Sequence, residues 1–268
     1  MNELPYFDNE GVKIHYEIEG NGPDLIMIHG FASNIENNWR EDNWIKSLKD
    51  QNRLILIDCR GHGLSDKPKD PTQYGIKMIE DISKLMNHLS IKKSNIFGYS
   101  MGARLALNFL LDNPQYTNSV ILGGFNLLSE NAQEIRQIYE PIIKAFKVGS
   151  ITQVKDPIGL ELRRFAEKVG NNLTALAAVL AGFFVESNKH VVTKVKIDTL
   201  LKKIMIPVLI VAGSADAFAS DLGNENSIVN QIPGACYFQI QGKDHYTVVA
   251  DPKFHMVVKA FLNFVNNK

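Results

Sequence analysis

Ser100 stands between two glycines in Gly98-Tyr99-Ser100-Met101-Gly102, where an apolar run gives way to a helical pattern. A serine hydroxyl is a weak nucleophile at neutral pH and needs a base that is itself oriented by a third group. The flanking glycines let the chain turn sharply without side-chain clashes, and the turn aims the hydroxyl out of a sheet edge at the cost of backbone strain. The helix that follows directs its free N–H groups and positive end at Ser100, which favours negative charge there. Of the seven histidines, His245 follows the last apolar run directly and reaches the same edge, so it is the candidate base. His15 and His88 fall within a strand and a helix, His190 in a central insertion and His255 inside the terminal helix; these read as ordinary polar or half-buried residues. Asp216, in Gly213-Ser214-Ala215-Asp216, follows the penultimate strand and is the candidate acid. Asp244 adjoins His245 in sequence, so its side chain should diverge from the imidazole, and Asp221 lies too far into the next helix. The chain order Ser100, Asp216, His245 is the one expected for a nucleophile on a strand-turn-helix elbow.

These residues need a sheet to bring them together. Val12, Ile14, Tyr16 and Ile18 alternate with polar residues as a half-exposed strand, and Leu25 to Ile28, Arg53 to Ile57, Ile96-Phe97 and Val120 to Leu122 read as buried strands. Helical spacing separates them, with Ile79, Ile82, Leu85, Met86 and Leu89 on one face and Leu105 to Leu111 in a largely buried helix. The rhythm predicts an α/β fold with a mainly parallel sheet covered by helices on both faces. It stops near Phe125 and resumes at Pro207 to Val211. Between them, Leu173, Leu176, Ala177, Leu180, Phe183 and Phe184 recur at helical spacing, which predicts a helical insertion. Cys236 to Ile240 supplies the last strand, and Asp251-Pro252 opens a helix with Phe254, Val257, Val258, Phe261, Leu262 and Val265 inward.

Length and composition bound the rest. A chain of 268 residues that is 45 % hydrophobic fits one large domain or a domain with an insertion. Basic and acidic residues number 29 each, so no global field draws nucleic acid, membrane or an acidic substrate. No leader pattern opens the chain and no apolar run approaches the roughly 18 residues of a spanning helix, which predicts a cytoplasmic protein. Cys59 and Cys236 lack metal-ligand spacing and read as buried free thiols. No cofactor motif appears, no histidine pair has metal spacing, and none of these patterns fixes an oligomeric state.

Five ordered motifs resemble those of the α/β-hydrolase family over nearly the full chain. They are His29-Gly30-Phe31 after an early strand, Asp58-Cys59-Arg60-Gly61-His62-Gly63-Leu64-Ser65-Asp66, Gly98 to Gly102, Gly213-x-x-Asp216 and Gly242-x-x-His245. The resemblance implies an oxyanion hole from the backbone N–H groups of Phe31 and Met101, and a helical cap at 126–203, after the sixth strand, over a core at 1–125 and 204–268. His29 and His62 are expected to support loops by hydrogen bonds. Ala103 departs from the third glycine of many members, and Ala217 to Ser220 lacks a proline often seen there; neither removes a reacting group. Asn126 stands where some members carry the acid, and it cannot supply the charge.

The implied activity is hydrolysis of a small or medium carboxylic ester through an acyl-enzyme, with a small-molecule ester as partner. Leu180, Phe183 and Phe184 are candidates for an apolar acyl pocket. Arg104 lies one helical turn after Ser100, where menaquinone-pathway lyases that this region also resembles hold a substrate carboxylate; Arg163 and Arg164 are candidates to complete such a clamp. The alternatives are therefore lyase or C–C hydrolase chemistry on an anionic substrate, or a hydrolase-fold small-molecule receptor.

Overall fold

A computed structural model of the chain describes residues 4–126, 132–189, 199–219, 222 and 227–267. Its sheet has eight strands: β1 (Tyr6–Asn9), β2 (Val12–Glu19), β3 (Asp24–Ile28), β4 (Arg53–Ile57), β5 (Ser94–Tyr99), β6 (Thr117–Gly123), β7 (Val208–Gly213) and β8 (Cys236–Ile240), in the order β1-β2-β4-β3-β5-β6-β7-β8. From β4 onward all pairings are parallel, so the carboxyl ends of β3, β5, β6, β7 and β8 share one edge. The expected mainly parallel α/β sheet is present. The antiparallel start, β1 on β2 and β2 on β4, adds a strand at Tyr6–Asn9 that is too short for alternation alone to mark.

Alternating side chains of the strands feed two cores. Ile26, Ile28, Ile55, Ile57 and Ile96 pack under α2 (Ile76–His88) and α3 (Met101–Asp112). Leu25, Met27, Leu54, Leu56 and Phe97 face the opposite side, against Trp39, Trp44 of α1 (Trp44–Leu48), and Phe254 of the C-terminal helix. That helix, Pro252–Asn266, starts where the sequence places it, with the Asp251 carboxylate accepting the Lys253 N–H at 2.8 Å. Each fully buried aliphatic or aromatic side chain contributes about 1.5–3 kcal/mol, so both faces of the sheet are held firmly around the edge that carries Ser100.

After β6 comes the helical insertion: α4 (Ala132–Lys147), α5 (Pro157–Val169) and α6 (Leu173–Lys189). Asp156 and Pro157 start α5, the carboxylate accepting the Gly159 N–H at 2.6 Å. Ile142, Ile143, Phe146, Ala166, Leu176, Ala177 and Leu180 form a third core, and Ala32 and Phe31 of the loop after β3 join it. Gly182 lets α6 press onto the body, since a Cβ there would lie 2.5 Å from the Tyr74 side chain. A short helix at Ile228–Gln231, α7, precedes β8, and Pro252–Asn266 is α8. Among the described residues no helix is long and apolar enough to cross a membrane. Cys59 is buried as expected, but Cys236 is exposed: β8 is an edge strand of the sheet and Cys236 is its first residue.

Candidate active site

The Ser100 elbow is built by close approach. Ser100 has φ 54° and ψ −114°, a conformation that non-glycine residues adopt only when their surroundings hold them there. The first turn of α3 presses on β5 and β3 so tightly that a Cβ on Gly98 would lie 2.2 Å from the Gly102 carbonyl oxygen, and one on Gly102 would lie 2.0 Å from that of Ile28. Both positions therefore require glycine. The Ser100 N–H donates to the Gly123 carbonyl at the end of β6, at 2.8 Å, which ties the elbow to the neighbouring strand.

His245 and Asp216 arrive from the loops after β8 and β7. The His245 Nε2 lies 3.0 Å from Ser100 Oγ, and its Nδ1 lies 2.9 and 3.0 Å from the two carboxylate oxygens of Asp216. An ionised carboxylate only accepts, so Nδ1 carries the hydrogen and the Nε2 lone pair faces the serine hydroxyl. Asp216 is buried and its Oδ1 also accepts the N–H groups of Phe218 and Ala219, at 2.9 and 3.2 Å. The backbone carbonyl of His245 accepts the Tyr99 hydroxyl, and burial drives the Tyr99 pKa well above its ordinary value, keeping that donor protonated. Asp244 turns away, its carboxylate accepting from the N–H of Tyr246 and both the N–H and hydroxyl of Thr247. Asp221 and His190 lie outside the described residues.

Phe31 and Met101 lie on the cavity wall beside Ser100. Met101 opens α3, so its N–H has no intrahelical acceptor. In the loop after β3 the Gly30 N–H goes to Asn38 Oδ1 at 2.8 Å and the Gly30 carbonyl accepts His29 Nδ1 and the Ser33 N–H. Among the described residues no internal acceptor takes the N–H of Phe31 or Met101. A Cβ on Gly30 would sit 3.4 Å from the Ser100 Cβ, which measures how closely this loop approaches the serine. Two free donors beside a hydroxyl are suited to hold an oxygen that becomes negative as the hydroxyl attacks a carbonyl.

The Asp58 to Asp66 stretch secures that loop. Asp58 accepts the N–H groups of Ile35 and Leu64, each at 2.9 Å, and His15 Nδ1 at 2.9 Å. Burial pushes the Asp58 carboxyl up, but these donors outweigh it and bring the pKa down to about 2. His29 Nε2 accepts the Cys59 N–H at 3.0 Å; burial lowers its pKa and drives that of His62 down to about 3. Both stay neutral and brace loops, in line with the sequence. His15 is fully buried rather than an ordinary strand residue, because β2 is covered by the Asp58 loop.

Ser100 and His245 open into a cavity of about 530 Å³ walled largely by apolar side chains of the insertion, among them Ile142, Leu162, Phe165, Leu180 and Phe183. Phe184 is in α6, but its side chain falls outside the described part. Arg104 also faces the cavity, its guanidinium 4.7 Å from the Phe183 ring centre and its Nη1 3.4 Å from the Tyr139 hydroxyl. It pairs with no carboxylate among the described residues. Arg163 and Arg164 do not line the cavity. Arg163 is buried and caps the end of α4, donating to the carbonyls of Ala145 and Val148 at 2.6 and 2.7 Å and to Glu167, while Arg164 points to solvent. Three charged lining groups carry no motif that could mark them: Glu41, Lys168, and Asp42, whose carboxyl burial pushes up to about 6.

Comparison with known proteins gives the same architecture. Residues 23–147 match the family model for the alpha/beta hydrolase fold. The chain is 26 % identical to a 2-(acetamidomethylene)succinate hydrolase of Mesorhizobium japonicum over 95 % of this chain and 92 % of that protein. Among solved structures it resembles a hydrolase from Pseudomonas aeruginosa, with a TM-score of 0.78 and 22 % identity over 97 % of this chain and 98 % of the other. It also resembles a structure described among carboxylesterases of Nitrososphaera gargenis, with a TM-score of 0.75 and 21 % identity over 98 % and 99 %. With its sheet order, elbow and post-β6 helical insertion, the chain has the α/β-hydrolase fold.

Proposed function

We propose that this hydrolase cleaves a small or medium carboxylic ester through an acyl-enzyme, with Ser100 as nucleophile, His245 as base and Asp216 as the orienting acid. The observation that carries this reading is the unbroken hydrogen-bond chain from Asp216 through His245 to Ser100, ending in a largely apolar cavity. His245 takes the hydroxyl proton as Oγ attacks the ester carbonyl, and Asp216 stabilises the imidazolium. The N–H groups of Phe31 and Met101 hold the oxyanion, each worth about 3 kcal/mol in a sheltered site. His245 then protonates the departing alkoxide, and a water activated by the same imidazole releases the acid. The insertion, residues 126–203, serves as the cap over a body formed by 1–125 and 204–268, with Leu180 and Phe183 against the acyl group. The likeness to a structure described among carboxylesterases supports this choice of substrate. Replacing Ser100 by Ala should lower turnover of a short-chain nitrophenyl ester roughly 10⁴-fold or more while leaving the melting curve unchanged. A folded variant with near-wild-type turnover removes Ser100 as nucleophile.

A second reading is favoured by Arg104, a cavity-facing cation without a carboxylate partner among the described residues. It fits an anionic substrate, and a relative of similar length is a hydrolase of a succinate derivative. A bidentate charge-assisted pair in a sheltered site is worth about 2–3 kcal/mol. If the ester reading holds, Arg104→Ala changes kcat/KM on neutral esters and on their carboxylate-bearing analogues equally and modestly. A loss of roughly 30- to 150-fold confined to the anionic analogues selects the second reading.

A further inference from the structure

The insertion reaches into the loop that carries the Phe31 N–H. Asn171 Nδ2 donates to the Ala32 carbonyl at 2.7 Å, across 139 residues of sequence. Ala32 is fully buried and has φ 58°, the left-handed region that a residue with a Cβ occupies only when held there. The Phe31 ring meets the Phe146 ring of α4 edge-on at 5.7 Å, and Phe31 and Ala32 belong to the same core as Ile142, Ala166 and Leu180. The loop is therefore held on one side by the body, through Asn38, Asp58 and Cys59, and on the other by the insertion.

Asn171 is itself set rigidly. Helix α5 ends in Gly170 with φ 78°; the Gly170 N–H donates to the Glu167 carbonyl at 3.1 Å and the Asn171 N–H to that of Ala166 at 2.9 Å. This paired arrangement closes the helix and fixes the direction in which residue 171 leaves it. Open space surrounds the Cβ position of Gly170, so glycine is required there by backbone conformation and not by crowding.

We propose that Asn171 is a positioning residue for catalysis: by binding the Ala32 carbonyl it holds the strained 30–32 turn so that the neighbouring Phe31 N–H stays aimed at the oxygen that becomes negative. The cap is then part of the oxyanion apparatus, and substrate turnover is coupled to the cap's seating. This rests on the reading of Ser100 as nucleophile and of the Phe31 N–H as an oxyanion donor.

The test compares Asn171→Ala and the near-isosteric Asn171→Asp with wild type on a short nitrophenyl ester, together with melting curves and inhibition by a trifluoromethyl ketone, whose carbonyl carbon accepts Ser100 Oγ to give a hemiketal oxyanion. Loss of an oxyanion donor costs about 10²–10³ in kcat; displacement of one should cost roughly 10- to 30-fold. Asn171→Ala should lower kcat by that amount with KM within about twofold, and weaken the ketone by a similar factor. Asn171→Asp should lose as much at neutral pH, where its carboxylate opposes the carbonyl, and recover relative to wild type as the pH falls and the carboxyl becomes a donor. The proposal is overturned if a folded Asn171→Asp keeps kcat within twofold of wild type at neutral pH. It is equally overturned if the loss appears in KM or melting temperature alone with ketone affinity unchanged. If Ser100→Ala retains activity, the hydrolase reading fails first; if Ser100→Ala is inactive and the Asn171 variants keep kcat and ketone affinity within about twofold of wild type, only this inference falls.

Discussion

At the scale of single residues, two aspartates next to the same histidine have opposite roles. Asp216 is buried and chelates the His245 Nδ1 with both oxygens, whereas Asp244 is spent on the turn at Tyr246 and Thr247. Asp216→Asn keeps the shape but allows the wrong imidazole tautomer, so turnover should fall on the order of 10⁴-fold. Asp244→Asn removes only part of an exposed turn and should cost less than about tenfold; steady-state kinetics on one neutral ester check both, and reversed losses would exchange the assignments. This choice was open to sequence reasoning because a side chain adjacent to the imidazole in sequence diverges from it. The arginines were not equally open to it. Arg104 and Arg163 look alike as cations on helices, yet one is left facing the cavity and the other is consumed by carbonyls at the end of α4.

At the scale of elements, the elbow depends on helix α3 lying almost in contact with β3 and β5. Gly102→Ala puts a methyl group 2.0 Å from a backbone oxygen that cannot rotate away, so the helix must shift. Overpacking of this kind costs about 3 kcal/mol or more, which for a chain of this size lowers Tm by roughly 6–12 °C. Because Met101 moves with the helix, kcat should fall as well. A calorimetric scan and a kinetic trace on the same preparation test this, and an unchanged Tm would show that α3 has room to spare. The elbow was legible because Gly-x-Ser-x-Gly states both spacing and backbone requirement in five residues. By contrast, the four-residue β1 is too short to carry a period and is defined only by pairing with β2.

At the scale of the whole molecule, buried titratable groups set the acid limit of stability. His62 is fully buried and burial depresses its pKa from an ordinary 6.5 to about 3, so between these values the unfolded chain takes up a proton that the folded one refuses. Stability therefore drops as pH falls below 6.5, by up to about 1.4 kcal/mol per pH unit from this group. Asp58, held near 2 against an ordinary value of 3.8, adds a second loss: its contribution is present above pH 4 and disappears as pH falls toward 2. Urea unfolding from pH 7 to 3 should show a steadily decreasing midpoint, and a flat profile down to pH 4 would contradict the burial of a neutral His62. By itself, the sequence determined the parallel α/β core, the elbow, the helical character of the insertion and the sheet edge at which Ser100, Asp216 and His245 meet. Each is written in local spacing, where backbone periodicity and turn chemistry act over a few residues. Only the tertiary structure decided that Cys236 sits exposed on an edge strand, that Arg163 is a cap and Arg104 is not, and that Asn171 grips the Ala32 carbonyl. Those outcomes depend on which surfaces meet across the fold, and a partner 139 residues away leaves no period in the chain for a reader to find.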